Sequence, residues 1–154
     1  EDHVRSSVIA AGGTLGPLKA SIKPGKPVSV GQLGDAMLVG LPGNPVSALV
    51  TFLWFARPIV MRRAGANPKE PRPIASVADF EQLRRPGRDE FVPISVSGQD
   101  DCGRMILGKP RPRGSARLSS LLATDGLARF PGHLTAVTRG TPLEFYPFTG
   151  PFHL

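Results

Sequence analysis

Seventeen prolines and eighteen glycines, spread along 154 residues without a fixed period, limit how long any regular element can run in this chain. Proline removes a backbone donor and fixes φ, and glycine weakens the interior of both helices and strands. Between these punctuation marks lie short apolar stretches, and the long exception runs from Val46 to about Ala64. The pattern predicts short elements joined by many turns, with one substantial helix. An apolar fraction of 40% is enough to build a core, in one ordinary domain or two small ones.

Local signals fill in this outline. Asp2 to Ala11 reads as a short helix, with Val4, Val8 and Ala11 at helical spacing and Gly12-Gly13 closing it. The chain starts directly on this acidic helix N-terminus, so the expectation is a piece of something longer. Leu15 to Ile22 reads as a strand interrupted by Pro17, Val28 to Leu33 as a second and Met37 to Leu41 as a third. Gly34-Asp35 between the last two suits a two-residue hairpin turn with positive φ at its first position. Pro42-Gly-Asn-Pro45 then opens the apolar helix, with Asn44 as N-cap and Pro45 in the first turn. Pro58 should kink or restart that helix. Because it is apolar all round, it is expected to be buried, in its own fold or against a partner.

Periodicity is lost between Gly65 and Pro73, where the domain boundary is expected. The expected division is residues 1–66, a linker at 67–72 and residues 73–154. Beyond it the segments are short and extended: Ile74 to Ala78, Glu90 to Ser97, Arg104 to Leu107, Gly126 to Phe130 and Leu143 to Pro147. These predict a small β-sandwich or barrel. Leu118 to Ala123 suits one helical turn.

With 19 Lys and Arg against 12 Asp and Glu, the formal charge is +7 and an anionic partner is indicated. The arginines of Arg84-Arg85-Pro-Gly-Arg88 and Arg111-Pro-Arg113 read as solvated loop charge, and Arg88-Asp-Glu as turn charge. A single cysteine, Cys102, excludes internal disulfides and a cysteine-built metal site, and it has no paired histidine to make it a nucleophile. His3, His133 and His153 are scattered without ligand spacing. No apolar run has membrane-spanning length and no secretory signal is present, so the expected compartment is cytoplasmic.

Two turns carry the chemistry. Lys19, Lys23 and Lys26 cluster in Lys19-Ala-Ser-Ile-Lys-Pro-Gly-Lys-Pro27. If Lys19 to Lys23 is extended, its two lysines share a face, while Lys26 rides the Pro24-Gly25 turn. Such a set binds phosphate or another oxyanion, or equally decorates a protected edge strand. Pro42, Gly43, Asn44 and Pro45, with Ser47 just inside the helix, form the second turn. Free N–H groups there would hold an anion, although Gly-Asn-Pro is also an efficient strand-to-helix turn. Asp2 would cap its helix or bind a divalent cation. Gly114 to Ser120 reads as an anion-binding loop or a plain N-cap region.

Ile22-Lys-Pro-Gly-Lys-Pro27 followed by Val39-Gly-Leu-Pro-Gly-Asn-Pro-Val-Ser-Ala48 closely resembles the signature of the molybdopterin molybdenumtransferases, the MoeA family, which includes the gephyrin E-domain. Gly114-Ser115, Ser119-Ser120, Asp125-Gly-Leu-Ala128 and Glu144-Phe-Tyr-Pro147 follow the same family. The resemblance implies an α/β portion followed by an all-β portion: the end of a three-layer α/β molybdopterin-binding domain, then a small C-terminal β-barrel or sandwich. It implies a transferase that cleaves adenylylated molybdopterin and inserts molybdate, with Mg²⁺ assisting and a homodimer in the full-length protein. Residue by residue, it implies Lys19 and Lys23 as active-site lysines. Lys26, Pro42, Gly43, Asn44, Pro45, Ser47 and Ser115 are implied as substrate-binding positions and Asp2 as the metal ligand. Such a C-terminal portion is expected to be inactive alone.

Two other classes compete. A scaffold module of gephyrin type would need a peptide-binding surface on the β-domain, which nothing in the sequence marks. A nucleic-acid-binding fragment fits the charge, but the arginines are not interleaved with aromatics and no binding motif is present. The expected partners are thus small anionic substrates, with no nucleic acid and no membrane.

Overall fold

The structure is a computed structural model of the chain that describes residues 3–18, 22–24, 28–110 and 121–149. It divides into two compact units, Glu1–Val60 and Met61–Leu154.

The first unit begins with helix α1, Val4–Ala10. Its end is a Schellman cap: the Gly12 N–H donates to the Ile9 carbonyl, the Gly13 N–H to that of Val8, and Gly12 takes φ +82°. Strands β1 (Thr14–Pro17), β3 (Ser29–Leu33) and β4 (Ala36–Gly40) form an antiparallel sheet in the order β1-β3-β4, and Ile22–Lys23 is a short strand, β2. Leu33 pairs with Ala36 across the Gly34-Asp35 turn, with Gly34 at φ +56°, as the hairpin reading requires. Gly31 is fixed by proximity, since a methyl group there would lie 1.7 Å from the Thr14 carbonyl oxygen. These three paired strands are all antiparallel, so a layered α/β arrangement is not visible in them.

Helix α2, Pro45–Thr51, has Asn44 as its N-cap and Pro45 at its first position. It runs through a five-residue π-helical segment, Phe52–Ala56, into α3, Arg57–Arg63. The expected disturbance at Pro58 takes this form. A proline ring at that position crowds the carbonyl of Trp54 and offers it no N–H, and the wider π turn just before it makes room. Val50, Thr51, Leu53, Ala56 and Arg57 are buried, while Phe52 is 39% and Val60 55% exposed. The helix is therefore not buried all round, since Phe52 and Val60 stay exposed.

In the second unit, β5 (Ile74–Ala78), β7 (Asp89–Gln99), β8 (Met105–Gly108), β9 (Gly126–Phe130) and β11 (Pro142–Pro147) pair in the order β7-β8-β5-β11-β9, and β9 pairs back onto β7. The five strands thus close into a barrel with no open edge among them. The pairing of β5 with β8 is parallel and the other four are antiparallel. Strand β7 pairs with β9 through Glu90–Ile94 and with β8 through Ser95–Gln99, and a bulge between Val96 and Gly98 bends it. Ala78, Phe80, Ile94, Leu107, Ala128, Phe130, Val137, Leu143 and Phe145 fill the core. A two-stranded ribbon of β6 (Gln82–Leu83) and β10 (Ala136–Val137), which the sequence reading did not contain, contributes Val137 to that core. Of the expected helical turn at 118–123, only Leu121 and Leu122 are described as helical; positions 118–120 lie outside the described residues.

Arg84 overturns the reading of its loop as solvated charge. Its side chain is 4% exposed and its Nη1 donates to the carbonyls of Pro131 and, at 3.2 Å, Leu134. Its guanidinium lies 5.9 Å from the centre of the Phe130 ring, and Glu90 is 3.6 Å away. Arg84 therefore pins the ribbon's loops to the barrel. Asp89 and Glu90 likewise lie within a strand rather than a turn.

Candidate functional site

The residues singled out in the sequence fall unevenly on the described structure. Asp2, Lys19, Lys26 and Ser115 lie outside the described residues, as do the rest of Gly114 to Ser120 and His153. Lys23 is exposed at the end of β2, immediately before the cis peptide bond to Pro24.

The Pro42 to Pro45 turn is fully described, and its geometry revises how it works. Pro42 and Ser47 are buried, while Gly43, Asn44 and Pro45 are exposed. Asn44 Oδ1 accepts hydrogen bonds from the Val46 N–H at 3.1 Å, the Ser47 N–H at 3.2 Å and the Ser47 hydroxyl at 3.4 Å. The Asn44 carbonyl accepts from the Ala48 N–H at 2.8 Å. Pro45 has no N–H to give. The donors expected to be free for an anion at this helix start are thus taken up within the turn itself. What the turn gains is rigidity, since a side-chain cap and two prolines hold one backbone path. Leu41, at its start, also lines a 260 Å³ cavity among α1, β1, β3 and β4, where Arg5 is the one charged side chain among the described lining residues.

The second unit carries an ionic cluster that the sequence does not reveal. Arg129 on β9 donates from Nε to Asp89 Oδ2 at 2.9 Å and from Nη1 to Glu144 Oε2 at 2.8 Å. Its Nη2 lies 2.7 Å from the same Asp89 oxygen. The Tyr146 hydroxyl donates to Glu144 Oε2 at 3.0 Å and the Gly132 N–H to Asp89 Oδ1 at 2.8 Å. Burial pushes the Asp89 carboxyl up, but the Gly132 N–H and Arg129 outweigh it and leave the group below its ordinary value. The Arg129 guanidinium is held protonated, chiefly by Glu144 and then by Asp89. Burial, then the bond to Glu144, pushes the Tyr146 hydroxyl up to about 12. Both carboxylates are bonded to the one guanidinium and the phenol stays neutral, so this is a seam across β7, β9 and β11 rather than a reactive centre. Its charged members are far apart in sequence, with Arg129 40 positions from Asp89 and 15 from Glu144, and no local spacing marks them.

A 780 Å³ groove on the barrel is lined by Phe80, Ser95, Ser97 and Lys109, among others. Lys109 Nζ donates to the Glu81 carbonyl at 3.2 Å and lies 5.5 Å from the centre of the Phe80 ring. Cys102 is exposed in the turn after β7, where its N–H and that of Arg104 both donate to Asp100 Oδ1. Among the described residues no group of three or more His, Cys, Asp or Glu side chains is placed to hold a metal ion. A complete Mg²⁺ site is therefore not supplied by the described residues. No helix among the described residues is long and apolar enough to cross a membrane.

Comparison with known proteins agrees with this architecture. Residues 78–148, which hold most of the barrel, match the family described as the MoeA C-terminal region (domain IV). The molybdopterin molybdenumtransferase 2 of Mycobacterium tuberculosis is 35% identical over 133 residues, 86% of this chain and 32% of that protein. The molybdopterin molybdenumtransferase of Haemophilus influenzae is 38% identical over 92 residues, 59% of this chain and 23% of that protein. The crystal structure of a molybdopterin biosynthesis MoeA protein from Pyrococcus horikosii matches with a TM-score of 0.70 at 24% identity, covering 94% of this chain and 34% of that one. The chain thus spans about a quarter to a third of the length of these relatives. By its barrel and the matched residues, the chain carries the MoeA family's C-terminal region (domain IV) at residues 78–148.

Proposed function

We propose that this chain is the C-terminal portion of a molybdopterin molybdenumtransferase, acting in molybdenum cofactor synthesis by inserting molybdate into adenylylated molybdopterin. The observation that carries the reading is the 35% identity over 133 residues to a relative bearing that name, a match reaching well beyond domain IV alone. In this reading, residues 1–66 close the molybdopterin-binding α/β domain, 67–72 link, and 73–154 form the β-domain. The remainder of the enzyme supplies the rest of the site, and the complete protein acts as a cytoplasmic homodimer, while the C-terminal portion alone is inactive.

Molybdate and the substrate's phosphate groups are oxyanions, and cleaving a phosphoanhydride builds negative charge. Fixed ammonium groups stabilise that charge best where they are already in position. Lys23, exposed at its strand end, takes this role together with Lys19, and Lys26 assists binding. Ser115 belongs to the same reading as a substrate contact, and Asp2 as the ligand of a Mg²⁺ ion completed by other parts of the protein. The rigid Pro42 to Pro45 turn forms a wall of the site.

The test is Lys23→Ala in the complete protein. Molybdenum-cofactor output is expected to fall at least a hundredfold, on the order of what the loss of one preorganised charge costs, with unchanged melting behaviour. Normal output from a folded variant would remove Lys23 from the site.

A further inference from the structure

The 780 Å³ groove on the barrel falls in the size range of small-molecule sites, about 300–1,000 Å³, and its described walls all come from the second unit. It is hollow because small residues meet there. Ser95 on β7 pairs with Gly108 on β8, and a methyl group built on Gly108 meets nothing within 4 Å. The bulge between Val96 and Gly98 bends β7 beside this pair.

Lys109 is held at the hollow by two tethers. Its Nζ donates to the Glu81 carbonyl at 3.2 Å and lies 5.5 Å from the centre of the Phe80 ring. An untethered lysine samples many rotamers, and ordering it around a ligand weakens binding. Here much of that ordering is already done by the carbonyl and the ring. An ammonium has three donors, and the carbonyl takes one of them. The carboxylate that shares the groove, Asp79, pairs with Arg139 at 3.4 Å.

Ser95 and Ser97 add the complementary chemistry. Ser95 Oγ donates to the Ala123 carbonyl at 3.0 Å, and Ser97 Oγ to the Ile106 carbonyl at 3.2 Å. Each hydroxyl's one proton is thereby engaged, so each offers lone pairs and calls for a donor on the ligand. The charges narrow the class further. One ammonium, with the Asp79 carboxylate in the same groove, suits a single negative charge. A phosphate monoester carries roughly −1.5 to −2 at neutral pH and would face Asp79 with one cation to offset it.

We propose that this groove binds a small organic monocarboxylate. The carboxylate meets Lys109 Nζ, a neighbouring N–H or O–H donates to the Ser95 and Ser97 hydroxyls, and an apolar or planar body lies against Val96 and Phe80 over the open backbone of Gly108.

The probe is N-benzoylglycine, which carries all three features, titrated into the 154-residue chain and followed by saturation-transfer difference NMR. A Kd of about 1 mM or lower is expected from the usual yield per non-hydrogen atom. N-benzoylglycinamide, which lacks the charge, should bind about tenfold more weakly or worse, and so should N-benzoylglycine to Lys109→Met, which keeps the apolar stem. Benzoate, which lacks the N–H, should bind roughly threefold to tenfold more weakly. Phenyl phosphate should also bind more weakly than N-benzoylglycine. Gly108→Val places a β-branched side chain on a strand with room for it, and should abolish binding at an unchanged melting temperature. Gly108→Ala is the milder block should valine lower that temperature.

No binding to the parent chain at about 10 mM probe overturns the proposal. Parent-like binding by Lys109→Met, or of N-benzoylglycinamide, overturns the role of the ammonium. If Lys109→Met loses binding while both Gly108 variants keep it, the carboxylate meets Lys109 outside the groove and the site is overturned. Tighter binding of phenyl phosphate overturns the choice of a monocarboxylate. None of these readouts involves turnover, so failure here leaves the proposed function standing.

Discussion

Removing Arg129 tests the view that a charged seam, and not only the apolar core, holds the barrel closed. Arg129 reaches Asp89 at 2.7 Å and Glu144 at 2.8 Å, and so ties β9 to both of its neighbours. The three side chains are 34%, 32% and 45% exposed, so water screens them substantially. Two unit charges at about 4 Å interact by roughly 1 kcal/mol in water and about 4 kcal/mol near a protein surface. Exposed pairs return only about 0.2–1 kcal/mol net after side-chain ordering. Two partly screened pairs made with good hydrogen-bond geometry therefore place the cost of Arg129→Met at about 1–2 kcal/mol. For a domain of this size that is a fall in melting temperature of about 5–10 °C.

The pH dependence of this loss has a definite sign. Asp89 is held below its ordinary value in the folded state, so its contribution is present above the unfolded carboxyl value. It is lost as the pH falls through the lower, folded value. The gap between the parent chain and Arg129→Met, followed by thermal unfolding under circular dichroism, should be full at neutral pH and narrow below about pH 4. A gap of the same size at neutral pH and at about pH 2 would refute the reasoning, because packing of the arginine stem would then explain the whole effect.

Three further substitutions in the described fold and one already set out for the site complete the predictions. Arg84→Met keeps the apolar stem but strands the carbonyls of Pro131 and Leu134, so urea denaturation should show a loss of about 2–4 kcal/mol; a loss under about 0.5 kcal/mol would mean the buried guanidinium holds nothing. Gly31→Ala should disrupt the three-stranded sheet, whereas Gly98→Ala, with nothing within 4 Å of its new methyl group, should melt within about 2 °C of the parent. Comparable melting for the two glycine variants would contradict the close approach at Gly31. In the complete protein, Lys23→Ala should lower molybdenum-cofactor output at least about a hundredfold.

The parts of the fold that sequence reading reached are those decided by neighbouring residues. The Gly34-Asp35 hairpin, the Asn44 cap with Pro45 behind it, and the five barrel strands each depend on turn chemistry or a short run of apolar residues. The two-residue strands β6 and β10 were missed because nothing so short carries a period; their pairing depends on the barrel they pack against. Arg84 was misread for a related reason. Flanked by Arg85, Pro86 and Gly87 it looks like solvated turn charge, and its burial is decided by carbonyls some 47 and 50 positions away. The site was legible as two motifs and nothing more. The sequence marked Asn44 as a cap but could not show that it consumes the donors an anion would need, because that is a matter of which acceptor those N–H groups meet.

The pairing of β5 with β11 bears on how the barrel is made during synthesis. β5 is the first barrel strand to leave the ribosome, and one of its two neighbours, Pro142–Pro147, is the last. The entropy of closing that long loop is met only when the final strand arrives. A nascent chain halted after Phe130 would carry β5 and β9 each missing a partner, with two unpaired edges available to a neighbouring polysome product. Closure of this barrel therefore waits for Pro142–Pro147, and a chaperone that shields strand edges has its window between Phe130 and Pro147.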